Sequence, residues 1–239
     1  MVGGEMFRPA CKRRDCPRCW ARRSRETARA LVLDARQECP RYCMTLTTSQ
    51  PWHELDPEVF RQGVAAVVKR LRRRFGRCDY FAAVEFTTGT AARSGGERRM
   101  HAHALLKMRE GLDVVEVEKL VRETWERTTS AYVVEVAQLV TPGAALGYLA
   151  LHHRKPSQAP PSAWRGMTER SSRGYWSSPI VELREQAKRE LAAEAIAHRQ
   201  GIPVELAALE VELRGSGRLI DTRAIAGATL RESLGEVHR

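Results

Sequence analysis

The chain has 239 residues, 43% of them hydrophobic, enough to bury a core and to exclude global disorder. It carries 40 Lys and Arg against 29 Asp and Glu, a net charge of +11, and 34 of the 40 cations are Arg. That balance points to a polyanionic partner, since Arg suits bidentate phosphate contacts and base stacking, and the lack of any run of about 18 apolar residues predicts no membrane span.

The positive charge is concentrated. Residues 177–239 hold 9 basic and 10 acidic side chains, so residues 1–176 hold 31 and 19, a net +12. The N-terminal residues lack the apolar stretch of a secretory leader. With six cysteines, this predicts a reducing, cytoplasmic setting in which thiols bind metal or stay unpaired before they form disulfides.

In chain order, Cys11-Lys-Arg-Arg-Asp-Cys16-Pro-Arg-Cys19 leads into a predicted helix over 20–36. The alternating run 42–48 predicts a strand. Asp56-Pro57 is an N-cap with proline at the first helical position, and the helix it opens carries Val59, Phe60, Val64, Val67, Val68 and Leu71 at helical spacing up to Gly76. Strands are predicted over 80–88 and 100–108, joined by a loop over 89–99 that contains Gly95-Gly96. A helix over 114–128, a strand over 131–140 and a helix opened by Thr141-Pro142 and running to Lys155 complete the order β-α-β-β-α-β-α. This is an α+β arrangement, an antiparallel sheet of ferredoxin or RRM type with helices on one face. Beyond it, 181–200 and 204–213 predict two helices broken at Gly201-Ile-Pro203. Three segments follow: a basic Cys-rich start over 1–40, a sheet domain over 41–176 and a helical extension over 177–239.

Three stretches carry chemistry. His101-Ala-His103 lies within a strand, so both imidazoles share a face. Glu85 is the one acid in an otherwise apolar strand, and a lone carboxylate there wants a cation or a hydrogen-bond donor. A hairpin through the 89–99 loop, with paired positions summing to about 187, sets Glu85 opposite Ala102 and beside the histidines. Two His and a Glu leave open positions for a catalytic Mg²⁺ or Mn²⁺; the alternative is a pair of solvent-facing histidines.

Tyr148, His152 and Lys155 form the second set, at i, i+4 and i+7 of a helix, so a phenol, an imidazole and an ammonium share one stripe. Positive charge favours the phenolate; the alternative is a surface tyrosine on an amphipathic helix. Third, Cys11, Cys16 and Cys19 have zinc-knuckle spacing, with Cys39, Cys43, His53 or Cys78 as candidates for a fourth structural Zn²⁺ ligand and three plain thiols as the alternative. Arg13, Arg14, Arg18 and Arg22 surround the knuckle and make it a candidate nucleic-acid clamp, although such a run also suits a solvated helix face.

With these pieces in order, the chain resembles the HUH endonuclease superfamily, and within it the rolling-circle replication initiators of bacterial plasmids and small single-stranded DNA phages. Met44-Thr-Leu-Thr47 is similar to the family's first motif, His101-Ala-His103 to its His-hydrophobic-His motif, and Tyr148 stands where its nucleophile does. The stretch from Trp164 and Arg165 through Arg170, Arg173 and Tyr175 looks like the family's basic, aromatic tail. The resemblance covers about 11–176. It departs at Leu151, where relatives often carry lysine, and Lys155 matches a second basic position. It implies a site-specific single-strand DNA endonuclease and ligase: Tyr148 attacks phosphorus, leaving a 5′-phosphotyrosyl link and a free 3′-hydroxyl. Catalysis would use Lys155 and His152 for charge stabilisation and Mg²⁺ or Mn²⁺ on His101, His103 and Glu85. The implied partners are single-stranded or hairpin origin DNA, held by the arginines above with Trp164 and Tyr175, and a host polymerase in a bacterial or phage-infected cytoplasm. No Walker-type Gly-rich Lys-Ser/Thr sequence is present, so a host helicase is implied too. A transposase or relaxase with the same chemistry, and a zinc-knuckle nucleic-acid-binding protein without catalysis, are the alternatives.

Overall fold

The computed structural model describes residues 16–88, 97–131, 133–139, 160–166 and 168–215. They form two compact units, Met1–Ser177 and Ser178–Arg239. The first holds helix α1 (Pro17–Ala35), strand β1 (Tyr42–Pro51), helix α2 (Pro57–Phe75), strands β2 (Asp79–Thr87) and β3 (Arg99–Lys107), helix α3 (Val114–Thr129), and strands β4 (Val134–Gln138) and β5 (Glu169–Ser171). The second holds α4 (Ile180–Gln200) and α5 (Val204–Gly215). The class is mixed α+β, with a five-stranded antiparallel sheet and five helices among the described residues. None of these helices is long and apolar enough to cross a membrane.

Local chemistry accounts for the helix ends. Asp56 accepts a hydrogen bond from the Glu58 amide at 2.8 Å, Pro57 needs no donor at the first position, and Gly76 at φ +86° ends α2. Asp113 caps α3 in the same way through the Val115 amide at 2.9 Å. The sheet order is β4-β1-β3-β2-β5, so β3 lies between β1 and β2, and β1 lies between β3 and β4. Each of the two strand–helix–strand units therefore spans a strand of the other, the split βαβ pattern.

Even-numbered residues of the three central strands face α2 and α3. Met44, Leu46, Val84, Phe86, Ala102 and Leu106 pack there with Phe60, Val64, Leu71, Val121 and Trp125. Trp125 stands edge-on to Phe60, with ring centroids 5.6 Å apart, and its indole N–H donates to the Thr47 carbonyl at 3.1 Å. Gly63 permits this close approach of α2 and α3: a Cβ there would lie 2.7 Å from both Thr129 Cγ2 and the Trp125 ring.

Three sequence expectations need correction. Helices cover both faces of the sheet, not one: α2 and α3 share the even face, but Leu31 of α1 packs on Phe81, Ala83 and Leu105 of the odd face. A helix predicted over 20–36 carries no information on which side of a distant sheet it packs. The hairpin register is also one residue off, with Glu85 paired to His101 rather than to Ala102. A loop of such length does not pin register as a two-residue turn does, and a one-residue slip changes the face of every side chain. Finally, β4 is shorter than expected, because Ser130 in the left-handed region (φ 56°) sends buried Ala131 into the core before pairing begins at Val134. Strand β5, too short and polar to show a period, was missed. The helix expected from Thr141-Pro142 to Lys155 lies outside the described residues.

A buried ion pair closes one end of the odd face. Lys107 Nζ lies 2.7 Å from Asp34 Oδ2, donates to the Tyr175 carbonyl at 2.6 Å, and sits 4.7 Å above the Tyr175 ring. The other Asp34 oxygen accepts from the Ser177 amide at 2.7 Å. One lysine thus joins β3, α1 and the segment after β5. In the second unit, Gly201 at φ +66° separates α4 from α5, which meet through Ala193, Ala197 and Ala207 with Ile196, Ile202 and Val211.

Lys107 and Asp34 are 2% and 1% exposed, so Lys107→Met, which strands a buried carboxylate, should cost about 3–5 kcal/mol in urea unfolding followed by tryptophan fluorescence. Asp34→Leu/Lys107→Met should recover most of that loss, because no buried charge remains. A cost below about 1 kcal/mol for the single variant, the range of a surface pair, would contradict this role.

Candidate functional site

Beyond the ion pair, the odd face turns polar. His101 and His103 project from it at alternate positions of β3, their rings nearly parallel (8°) with centroids 6.3 Å apart, as two-residue spacing on a strand requires. On one side, β1 sets Thr47 opposite His101 and Thr45 opposite His103. Each hydroxyl meets an Nδ1, Thr47 Oγ1 at 2.9 Å from His101 and Thr45 Oγ1 at 3.1 Å from His103. On the other side, β2 sets Glu85 opposite His101, and its Oε2 lies 3.3 Å from His103 Nε2. Three strands thus supply hydroxyl, imidazole and carboxylate in rows across the sheet.

Burial differs along the row. Glu85 is fully buried, His103 is 6% exposed and His101 is half-buried. A carboxylate this deep needs polar contact, and the His103 ring supplies it. The threonine contacts hold both rings by Nδ1, which leaves each Nε2 on the side away from β1. In this arrangement, however, no three His, Cys, Asp or Glu side chains among the described residues converge as a metal-ligand group. His103 Nε2 and Glu85 are turned on each other instead.

The remaining candidates are dispersed. Tyr148, His152, Lys155, Cys11, Arg13 and Arg14 lie outside the described residues. Cys16 is the N-cap of α1 and Cys19 is buried in its first turn. The cysteines considered as a fourth zinc ligand are badly placed for it. Cys39 follows the far end of α1, a helix about 28 Å long at 1.5 Å per residue. Cys78 adjoins the Arg77–Glu38 ion pair at that same end, and Cys43 pairs with Leu105 and Ala137. Burial also opposes their thiolates, raising the Cys39 and Cys43 thiols and pushing Cys78 up to about 12. His53 is exposed, with Nε2 3.9 Å from Glu54.

Two residues expected to stack on DNA are core residues. Trp164 is 6% exposed and packs on Phe86 with centroids 5.3 Å apart; Tyr175 is 1% exposed beneath Lys107 and beside Phe81. Aromatics within a basic segment read as a stacking surface, whereas here the segment folds back and buries them. Burial also drives the Tyr175 phenol well above its ordinary range, first by desolvation and then by Asp34. Arg18, Arg22, Arg165 and Arg173 are exposed, and Arg170 is half-buried on β5. Thr45 and Thr47 escaped notice as site residues. Their signal was available in the alternation of β1, but only the register identifies their partners.

The threonine contacts should show in proton–nitrogen correlation spectra of the imidazoles. At neutral pH, each of the two rings should populate one tautomer. Thr47→Val keeps the side-chain shape and removes the hydroxyl, so His101 should shift to a tautomer mixture while His103 changes little. Identical His101 signals in both proteins would contradict the contact.

Comparisons with protein-family models, with curated proteins and with solved structures return no match.

Proposed function

We propose that the chain nicks and rejoins single-stranded DNA by tyrosine attack, as an HUH-type initiator of rolling-circle replication. The observation that carries this reading is the placement of His101, His103 and Glu85 on one sheet face, with Glu85 beside His103 and each imidazole Nδ1 on a threonine hydroxyl. The donor types fit a divalent ion: two neutral imidazoles whose orientation is set by a partner at Nδ1, and one carboxylate. His101, His103 and Glu85 would hold Mg²⁺ or Mn²⁺, which when bound supplies charge stabilisation at the scissile phosphate.

Tyr148 Oη would attack phosphorus in line, losing its proton, and the bond from phosphorus to the 3′-oxygen would break. The products are a 5′-phosphotyrosyl link and, once the leaving oxygen gains a proton, a 3′-hydroxyl for a host polymerase. Rejoining reverses these bonds and needs no nucleotide. His152 and Lys155 would supply positive charge to the phenolate. The net +12 of residues 1–176 supports a polyanionic substrate, and a host helicase would open the duplex. Cys11, Cys16 and Cys19 would hold a structural Zn²⁺ with a ligand other than Cys39, Cys43 or Cys78.

The test is a pool of single-stranded oligonucleotides incubated with Mn²⁺ and resolved on a denaturing gel. The native protein should give a covalent protein–DNA band that EDTA abolishes. Tyr148→Phe should lose the band and keep DNA affinity within about twofold, since only an oxygen is removed and the phosphate contacts remain. His101→Ala should weaken the band, with partial recovery at high Mn²⁺. Adduct formation by Tyr148→Phe would refute the nucleophile, and no adduct from any oligonucleotide would favour a non-catalytic binding protein.

A further inference from the structure

Away from the histidines, α2 presents a second concentration of cations. Residues 69–77 hold Lys69, Arg70, Arg72, Arg73, Arg74 and Arg77. Several have local duties: Arg74 pairs with Glu116 at 2.6 Å, and Arg77 with Glu38 at 2.7 Å and Asp79 at 2.8 Å. Cations near a helix C-terminus also offset its dipole, which is reason enough for Arg72, Arg73 and Arg74. Neither account covers the cleft that opens between α2 and the sheet edge. It has a volume of about 470 Å³ and is lined by Ala65, Val68, Lys69, Arg72, Arg73, Tyr80 and Arg170.

Four of those residues are cations and none is acidic. Arg170 comes from β5, with no helix dipole to offset. It pairs with Ala82, an even-face position, so it points to the α2 side, while its neighbour Glu169 pairs with Ala83 and accepts from Thr27 of α1 at 3.3 Å on the other side. Arg72 is braced in place, its Nε donating to the Cys78 carbonyl at 3.0 Å and a terminal nitrogen 3.6 Å from Asp79. Lys69 and Arg73 are exposed and make no ion pair among the described residues. An apolar floor of Ala65 and Val68 under a ring of guanidinium and ammonium groups suits a sugar-phosphate backbone: the phosphates meet the charges and the sugars meet the floor.

We infer that this cleft is a second binding site for the single-stranded DNA, holding its backbone on the side of the sheet opposite the histidines. The inference rests on the reading that single-stranded DNA is the substrate, but not on tyrosine chemistry. Strand β5 is the sheet edge and has three residues, so a strand leaving the cleft can turn round it to the odd face. From β5, β3 lies two strand spacings away, about 10 Å. The cleft would then anchor one flank of the site while the histidines meet the scissile phosphate.

The test measures binding of a labelled single-stranded oligonucleotide by anisotropy across a salt series. Lys69→Ala/Arg73→Ala/Arg170→Ala should lower the slope of log affinity against log salt by about 2, at about 0.7 per lost phosphate contact, and weaken binding at least about tenfold at 0.1 M salt. Arg109→Ala/Lys119→Ala/Arg127→Ala removes the same charge from exposed positions elsewhere and should leave the slope nearly unchanged. Equal losses in both triple variants, or an unchanged slope in the first, would overturn the cleft assignment. Failure of the native protein to bind any single strand would instead remove the proposed substrate, and the cleft's role with it.

Discussion

Strand β3 lies between β1 and β2 in a register that sets Thr47, His101 and Glu85 side by side, and the rest of the first unit depends on that alignment. Even positions of all three strands become a continuous apolar layer under α2 and α3, while odd positions become the surface that carries polar chemistry. A slip of one residue would bury both imidazoles under Trp125 and α2 and expose Ala102 and Ala104. The fully buried Ala102 and Ala104 and the tight α2–α3 approach at Gly63 leave no room for that alternative. Apolar packing on one face therefore fixes the polar contacts on the other.

The odd face is itself divided. At the Lys107 end it is sealed by α1 and by Tyr175, with an ion pair buried below. Along β3 towards His101 it becomes more accessible, from buried His103 to half-buried His101, while Glu85 of β2, opposite His101, stays fully buried. A buried lysine joined to a carboxylate, a carbonyl and a ring holds three separated segments in one place. Holding them matters for a site built from strands, because rigid elements position side chains more closely than loops do. The cationic cleft at the β5 edge lies on the opposite side of the same sheet, so one rigid layer carries both surfaces.

Much of this was legible in the chain. Asp56-Pro57 and the spacing of Phe60, Val64, Val67 and Leu71 carry their own local explanation, so α2 ends where its caps say. The shared face of His101 and His103 follows from alternation alone. Register is different in kind: it is set by packing between distant strands, so neither the Glu85–His101 pairing nor the threonine partners could be read from spacing. Strand β5 exists through its ladder with β2 rather than through any propensity of Glu-Arg-Ser. Trp164 and Tyr175 show the same limit, since polar neighbours in sequence said nothing of the apolar neighbours they meet in space.

The account stands or falls on whether the imidazole and carboxylate row accepts a divalent ion. Mn²⁺ bound to the full chain can be examined by pulsed electron paramagnetic resonance, which detects nitrogen nuclei coupled to the metal. The account predicts a tightly held ion with couplings from two imidazoles, both absent in His101→Ala/His103→Ala, and a weaker site in Glu85→Gln. Bound Mn²⁺ without any imidazole coupling, or the same spectrum after loss of both histidines, would contradict it.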